Sequence, residues 1–195
     1  MRTRHVVGAV IAALSVPVAV ALPAQSHGYI STPPSRAALC AAGTVKNCGA
    51  IQWEPQSVEG PKGFPSRGPA DGAICAGGNS RFAELDDPRG GAWPTTAVSA
   101  GQRLTFTWKF TARHATTGFK YYLTRAGYDA TQKVTRANLE PTPFLNVPYN
   151  GTQVPSTLSH TATLPSGRTG HQVVVAVWEI ADTGNAFYSC TDVSF

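Results

Sequence analysis

The chain has 195 residues and a formal net charge of +5, and only 14% of its residues are charged. That length suits one domain with a buried core. The charge is too mild to imply nucleic acid as a partner, and no basic cluster with interleaved aromatics occurs.

Residues 1–26 have the three parts of a secretory signal peptide. Arg2 and Arg4 form the positive end, Val6 to Leu22 is apolar, and Ala24-Gln25-Ser26 puts small residues three and one before a cut. A membrane anchor is the rival. The apolar run is about 17 residues, at the short limit for a span, and it ends in Pro23 and small residues instead of a basic cluster. Cleavage after Ser26 predicts a secreted, extracellular protein made of one domain, 27–195, with no membrane attachment. It also makes His27 the first residue.

HGYIS (27–31) reads as a first strand. Residues 27 to about 100 are rich in Gly, Pro and Ala, with turns, short helical pieces and ordered loop. From there the texture changes to strands. RLTFTWKF (103–110) alternates, with Leu104, Phe106, Trp108 and Phe110 on one face. Strands follow at 119–129, 159–165, 171–181 and 186–195, separated by Gly, Pro, Asn and Ser. Asn150-Gly151-Thr152 matches a glycosylation triplet but is first a turn signal. Several short strands without a long amphipathic helix predict an all-β protein, a β-sandwich. The long segment after the first strand is expected to carry function, and no second binding module is expected after Phe195.

The four cysteines all follow residue 26. An even count in an exported chain reads as two disulfides, with three pairings open. Cys40–Cys48 with Cys75–Cys190 is preferred because the first two lie so close in sequence. A zinc site is disfavoured because no pair has C-x-x-C spacing.

His27, His114, His160 and His171 follow the leader. His160 and His171 have polar neighbours and read as exposed strand ends. His27 differs because processing would free its α-amine, whose ordinary pKa is near 8. Amine and imidazole Nδ1 together chelate a transition metal, and His114 in TARHATTG supplies a third nitrogen. Cu(II) is the divalent ion such nitrogen donors hold most tightly. Trp53 in IQWEPQ, between polar residues and a proline, reads as an exposed aromatic able to stack on a sugar ring.

HGYISTPPSRAALC, WEPQSVEGPKGFP, FTWKFTARHATTGFKYYLT and VVVAVWEIADTGNAFYSCTDV resemble the bacterial lytic polysaccharide monooxygenases of auxiliary activity family 10. The similarity covers essentially all of 27–195 and is nearest to single-domain, chitin-active members. It implies a fibronectin-III or immunoglobulin-like β-sandwich with a large, partly helical insertion after the first strand. It implies that His27 and His114 form a copper-binding histidine brace, that Phe187 lies at the axial position, that Ala112 shapes the other axial side and that Glu59 is an acid beside the metal. The binding face it implies comprises Trp53, Glu54, Pro55, Thr111, His114 and Asp182. Relatives often carry Tyr where this chain has Trp53, which keeps the stacking role.

The function so implied is oxidative cleavage of crystalline chitin, at C1 and giving aldonic acid ends, by a monomer with one copper ion. An external reductant and H2O2 or O2 are the co-substrates. Cellulose is the alternative substrate; the WEPQSVEGPKGFP segment and Phe187 favour chitin. Three rival functions are weaker. A glycoside hydrolase needs two acids flanking one bond, and no such pair stands out. A non-catalytic chitin-binding module explains Trp53 and Glu54 but not His27 at the cut. A copper carrier explains the histidines but not WEPQSVEG.

Overall fold

The computed structural model describes residues 26–195, so the leader read over 1–26 lies outside the described residues except for Ser26. Two sheets face one another. The smaller has the order β1–β4–β7, with β1 at His27–Thr32, β4 at Arg103–Ala112 and β7 at Thr157–Thr163. The larger runs β2–β9–β8–β5–β6, with β2 at Glu59–Pro61, β5 at Ala115–Leu123, β6 at Leu145–Gln153, β8 at His171–Ile180 and β9 at Asn185–Ser194. A two-residue strand, β3 (Thr96–Ala97), pairs in parallel with β9. The arrangement is the sandwich expected from the sequence.

The alternation of β4 turns Phe106, Trp108 and Phe110 into the space between the sheets. β8 is buried on both faces. Val174, Ala176, Trp178 and Ile180 fill the sandwich core. Val173, Val175 and Val177 face a second core, built with the insertion of residues 33–102. That insertion is partly helical: one short α-helix, α1 (Arg36–Ala41), and 3-10 turns at 49–52, 80–85 and 89–91. Ser35 caps α1, accepting from the Ala38 N–H at 3.2 Å.

Two features weld the insertion to the sandwich. Arg36 is buried and donates to both carboxylate oxygens of Asp192 in β9, at 2.7 and 2.9 Å. The disulfides pair Cys40 with Cys48 and Cys75 with Cys190; the second joins the insertion to β9.

Three expectations need correction. The strand read over 119–129 ends at Leu123, where the chain turns away. β6 was not expected. It carries Pro148 and the positive-φ pair Asn150-Gly151, and it stands at the sheet edge, where proline is tolerated. His160 is not exposed: it is 8% accessible and accepts or donates through Nδ1 to the Tyr121 hydroxyl at 2.7 Å. Nor is His171 a free strand end, since its Nε2 meets Asp192 at 2.7 Å.

Candidate metal centre and binding face

The register of the β1–β4 pair sets the centre. His27 lies opposite Ala112, with an irregularity between His27 and Gly28. Gly28 lies tight against the aromatic core: a Cβ there would come within 2.6 Å of the Phe110 ring and 3.1 Å of Trp178. Glycine therefore lets the end of β1 sit directly on that core, with His27 half-buried beside it. Two residues beyond Ala112, in the turn from β4 to β5, stands His114. It is 8% accessible, and its carbonyl accepts from the Thr116 hydroxyl at 3.0 Å.

The His114 Nδ1 faces Asp182 Oδ1 at 3.3 Å. Asp182 comes from the turn between β8 and β9 and is exposed. The contact commits Nδ1 to the carboxylate and leaves Nε2 as the free nitrogen. Phe187, fully buried in β9, presents its ring 6.4 Å from the His27 ring. Behind it Trp178 follows at 5.0 Å. Phe187 is thus both a core aromatic and a neighbour of His27.

Glu59 is brought in by β2, paired opposite Phe187. Its Oε1 accepts from Asn185 Nδ2 at 2.7 Å. Next to it, Gly60 has no room for a side chain, because a Cβ would meet the Gly77 carbonyl oxygen at 2.0 Å. Close backbone approach of this kind is a standard reason for glycine.

Trp53 ends the 3-10 turn at 49–52 and is 82% exposed, the sole large hydrophobic so exposed among the described residues. Glu54 pairs with Arg81 at 2.5 Å. Pro55 is half-buried, and Thr111, the penultimate residue of β4, is exposed. The structure therefore gathers His27, Ala112 and Phe187, and links His114 to Asp182. It links Glu59 to Phe187 by register and to Asn185 by hydrogen bond. Asn185 and Arg81 are contacts that no motif in the sequence announces.

A model of the family described as "Lytic polysaccharide mono-oxygenase, cellulose-degrading" matches residues 27–193. The chain belongs to the lytic polysaccharide monooxygenase family. It is 46% identical over 186 residues to the "Lytic chitin monooxygenase" of Streptomyces ambofaciens, covering 94% of this chain and 91% of that protein. It is 44% identical over 172 residues to "GlcNAc-binding protein A" of Shewanella oneidensis, covering 88% of this chain and 36% of that one; the chain thus spans about a third of the length of that relative. Among solved structures, an AA10 lytic polysaccharide monooxygenase from Streptomyces lividans aligns with a TM-score of 0.84 at 60% identity, covering 87% of this chain and 100% of that one. A Bacillus amyloliquefaciens protein described as in complex with Cu(I) aligns with a TM-score of 0.78 at 35% identity, covering 86% and 99%.

In this lytic polysaccharide monooxygenase the donor chemistry fits copper. Among the described residues no three His, Cys, Asp or Glu side chains form a metal cluster. A free α-amine on His27 would add a third nitrogen donor to the imidazoles of His27 and His114. While Ser26 remains, that nitrogen is a peptide amide and a poor ligand. Two imidazoles and one amine would make an all-nitrogen set of the kind that binds Cu(II) most tightly among the first-row divalent ions.

Proposed function

We propose that the chain is exported, cut after Ser26, loaded with one copper ion at His27 and His114, and used outside the cell to cleave crystalline chitin oxidatively. The observation that carries this reading is the strand register that lays His27 against Ala112, two residues before a histidine whose Nδ1 is already engaged by Asp182. A carboxylate behind a ligating histidine fixes its tautomer and raises its basicity. Support for copper also comes from the Cu(I)-bound neighbour, and support for chitin from the names of the Streptomyces and Shewanella relatives.

His27 and His114 would hold the copper, which would supply one-electron oxidising chemistry toward the C1–H bond, fed by an external reductant and by H2O2 or O2. The chain's own residues do the rest. Trp53 stacks on a sugar ring, and Glu54, Pro55, Thr111 and Asp182 complete a polar surface around it. A flat face suits a crystalline polymer, because no chain has to be lifted into a cleft. Phe187, buried with its ring facing His27, keeps water from that side of the histidine, while the small Ala112 opposite His27 leaves room for substrate. Glu59, held by Asn185, is the carboxylate placed to accept or return a proton. The hydroxylated C1 then breaks its glycosidic C–O bond, releasing the neighbouring sugar as an alcohol with the hydroxyl proton and leaving a lactone that water opens to an aldonic acid.

Mass spectrometry of soluble products from chitin and from cellulose, each with copper and ascorbate, tests the reading. Oxidised chitin oligomers are expected. Oxidised cello-oligomers alone would move the substrate to cellulose. Unmodified oligomers would mean a hydrolase, and adsorption without release a binding module.

A further inference from the structure

We propose that Lys62 is a positioning residue: it locks the turn between β8 and β9 so that Asp182 meets His114 and Asn185 meets Glu59. This rests on reading His114 and Glu59 as site residues. Residues 181–184 carry little packing of their own. Asp182 and Gly184 are exposed, and a Cβ added at Gly184 would touch nothing within 4 Å. Yet the two residues that address the centre, Asp182 and Asn185, sit in and just after this turn, with contacts of 3.3 and 2.7 Å.

Lys62 grips the turn at both ends. Its Nζ donates to the carbonyl of Ile180, the last residue of β8, at 2.9 Å. Its backbone N–H donates to the carbonyl of Gly184 at 3.0 Å. Lys62 directly follows β2, which carries Glu59, so one residue ties the acid's own strand to the turn that bears the acid's partner. The Ala181 N–H bonds the Ala115 carbonyl at 2.8 Å, the Asn185 N–H bonds the Thr183 hydroxyl at 3.2 Å and Asn185 is paired with Pro61; within Asp182–Gly184 itself, the backbone bond to another element is the one Gly184 makes to Lys62. An ammonium-to-carbonyl bond is charge-assisted and stronger than a neutral one.

Lys62→Met keeps the stem and the backbone N–H and removes only the charge-assisted bond; Lys62→Arg restores a donor. The experiment measures hydrogen–deuterium exchange of the metal-free protein over 181–186, and the electron paramagnetic resonance spectrum after loading with Cu(II). The expected result for Lys62→Met is faster exchange confined to 181–186, by about tenfold as befits loss of one charged hydrogen bond. A changed Cu(II) spectrum should accompany it, and Lys62→Arg should bring both back toward wild type. Unchanged exchange and spectrum would overturn the proposal. So would exchange that rises throughout β5 and β8, since that would make Lys62 a general stabiliser. Failure of the wild-type protein to bind Cu(II) would count against the copper reading instead, and the exchange data would still judge the lock.

Discussion

His114 acts through the nitrogens of its ring. The ring has two, and Asp182 occupies one, so on the proposed function His114→Ala removes a copper ligand and leaves Asp182, already exposed, facing water. We expect Cu(II) affinity to fall by more than about 100-fold, since even outer partners of metal ligands are worth about 10–100-fold. Isothermal titration checks this, and circular dichroism should find the sandwich intact. Trp53 presents the opposite case. With 82% of its surface in water it contributes little to the fold, so Trp53→Ala should change stability by no more than about 0.5 kcal/mol. Its loss should weaken adsorption to chitin by about tenfold, the scale of one aromatic contact and its buried area, and leave copper binding as it was. Depletion assays with chitin particles measure the first, titration the second.

At the level of elements, the insertion stands or falls with its anchors. Cys75 and Cys190 are 115 residues apart, and closing so long a loop removes a large share of unfolded-chain freedom. The Cys75→Ala, Cys190→Ala double variant should lose about 2–5 kcal/mol, a drop in melting temperature of about 5–20 °C at this size, read by calorimetry. The same elements explain what the sequence reveals. Strand β4 is legible because its aromatic residues alternate, and β8 because of the unbroken apolar run from Val173 to Trp178. Strand β6 is illegible because it is an edge: it buries little, tolerates Pro148 and bends at Asn150-Gly151. In β7 the buried positions His160 and Ala162 alternate with exposed Thr161 and Thr163, so period two does mark His160 as inward, but its polar neighbours mask that. In the proposed centre, His27 and His114 are singled out in the sequence by the expected leader and the family motifs. Asn185 and Lys62 are not, because their partners lie 126 and 118 residues away and no local pattern encodes such a meeting.

Across the whole molecule, two buried groups oppose each other as pH changes. Burial lowers the pKa of His160 to about 4. The unfolded chain takes up that proton already near 6.5, so acidification from 6.5 to 4 favours unfolding. Burial raises the pKa of Asp86 to about 6, against the lowering effect of the Cys75 and Ala76 N–H groups and of Arg36 and Lys133. The folded chain takes up that proton first, so acidification from 6 to 4 favours folding. Each shift is worth about 3 kcal/mol at full development, and the two largely cancel. Melting temperature should therefore be nearly flat between pH 6 and 4. Asp86→Asn keeps an acceptor for both N–H groups but removes the titration, and its melting temperature should fall steadily over that range.

In the proposed function, processing, metal and chemistry meet at one nitrogen, and comparing material that begins at His27 with material that begins at Ser26 isolates it. The two differ by one residue and should share one fold. Material beginning at His27 should bind one Cu(II) tightly and release oxidised oligomers from chitin; material beginning at Ser26 should bind copper weakly and release none. Equal release of oxidised oligomers from both would contradict the account.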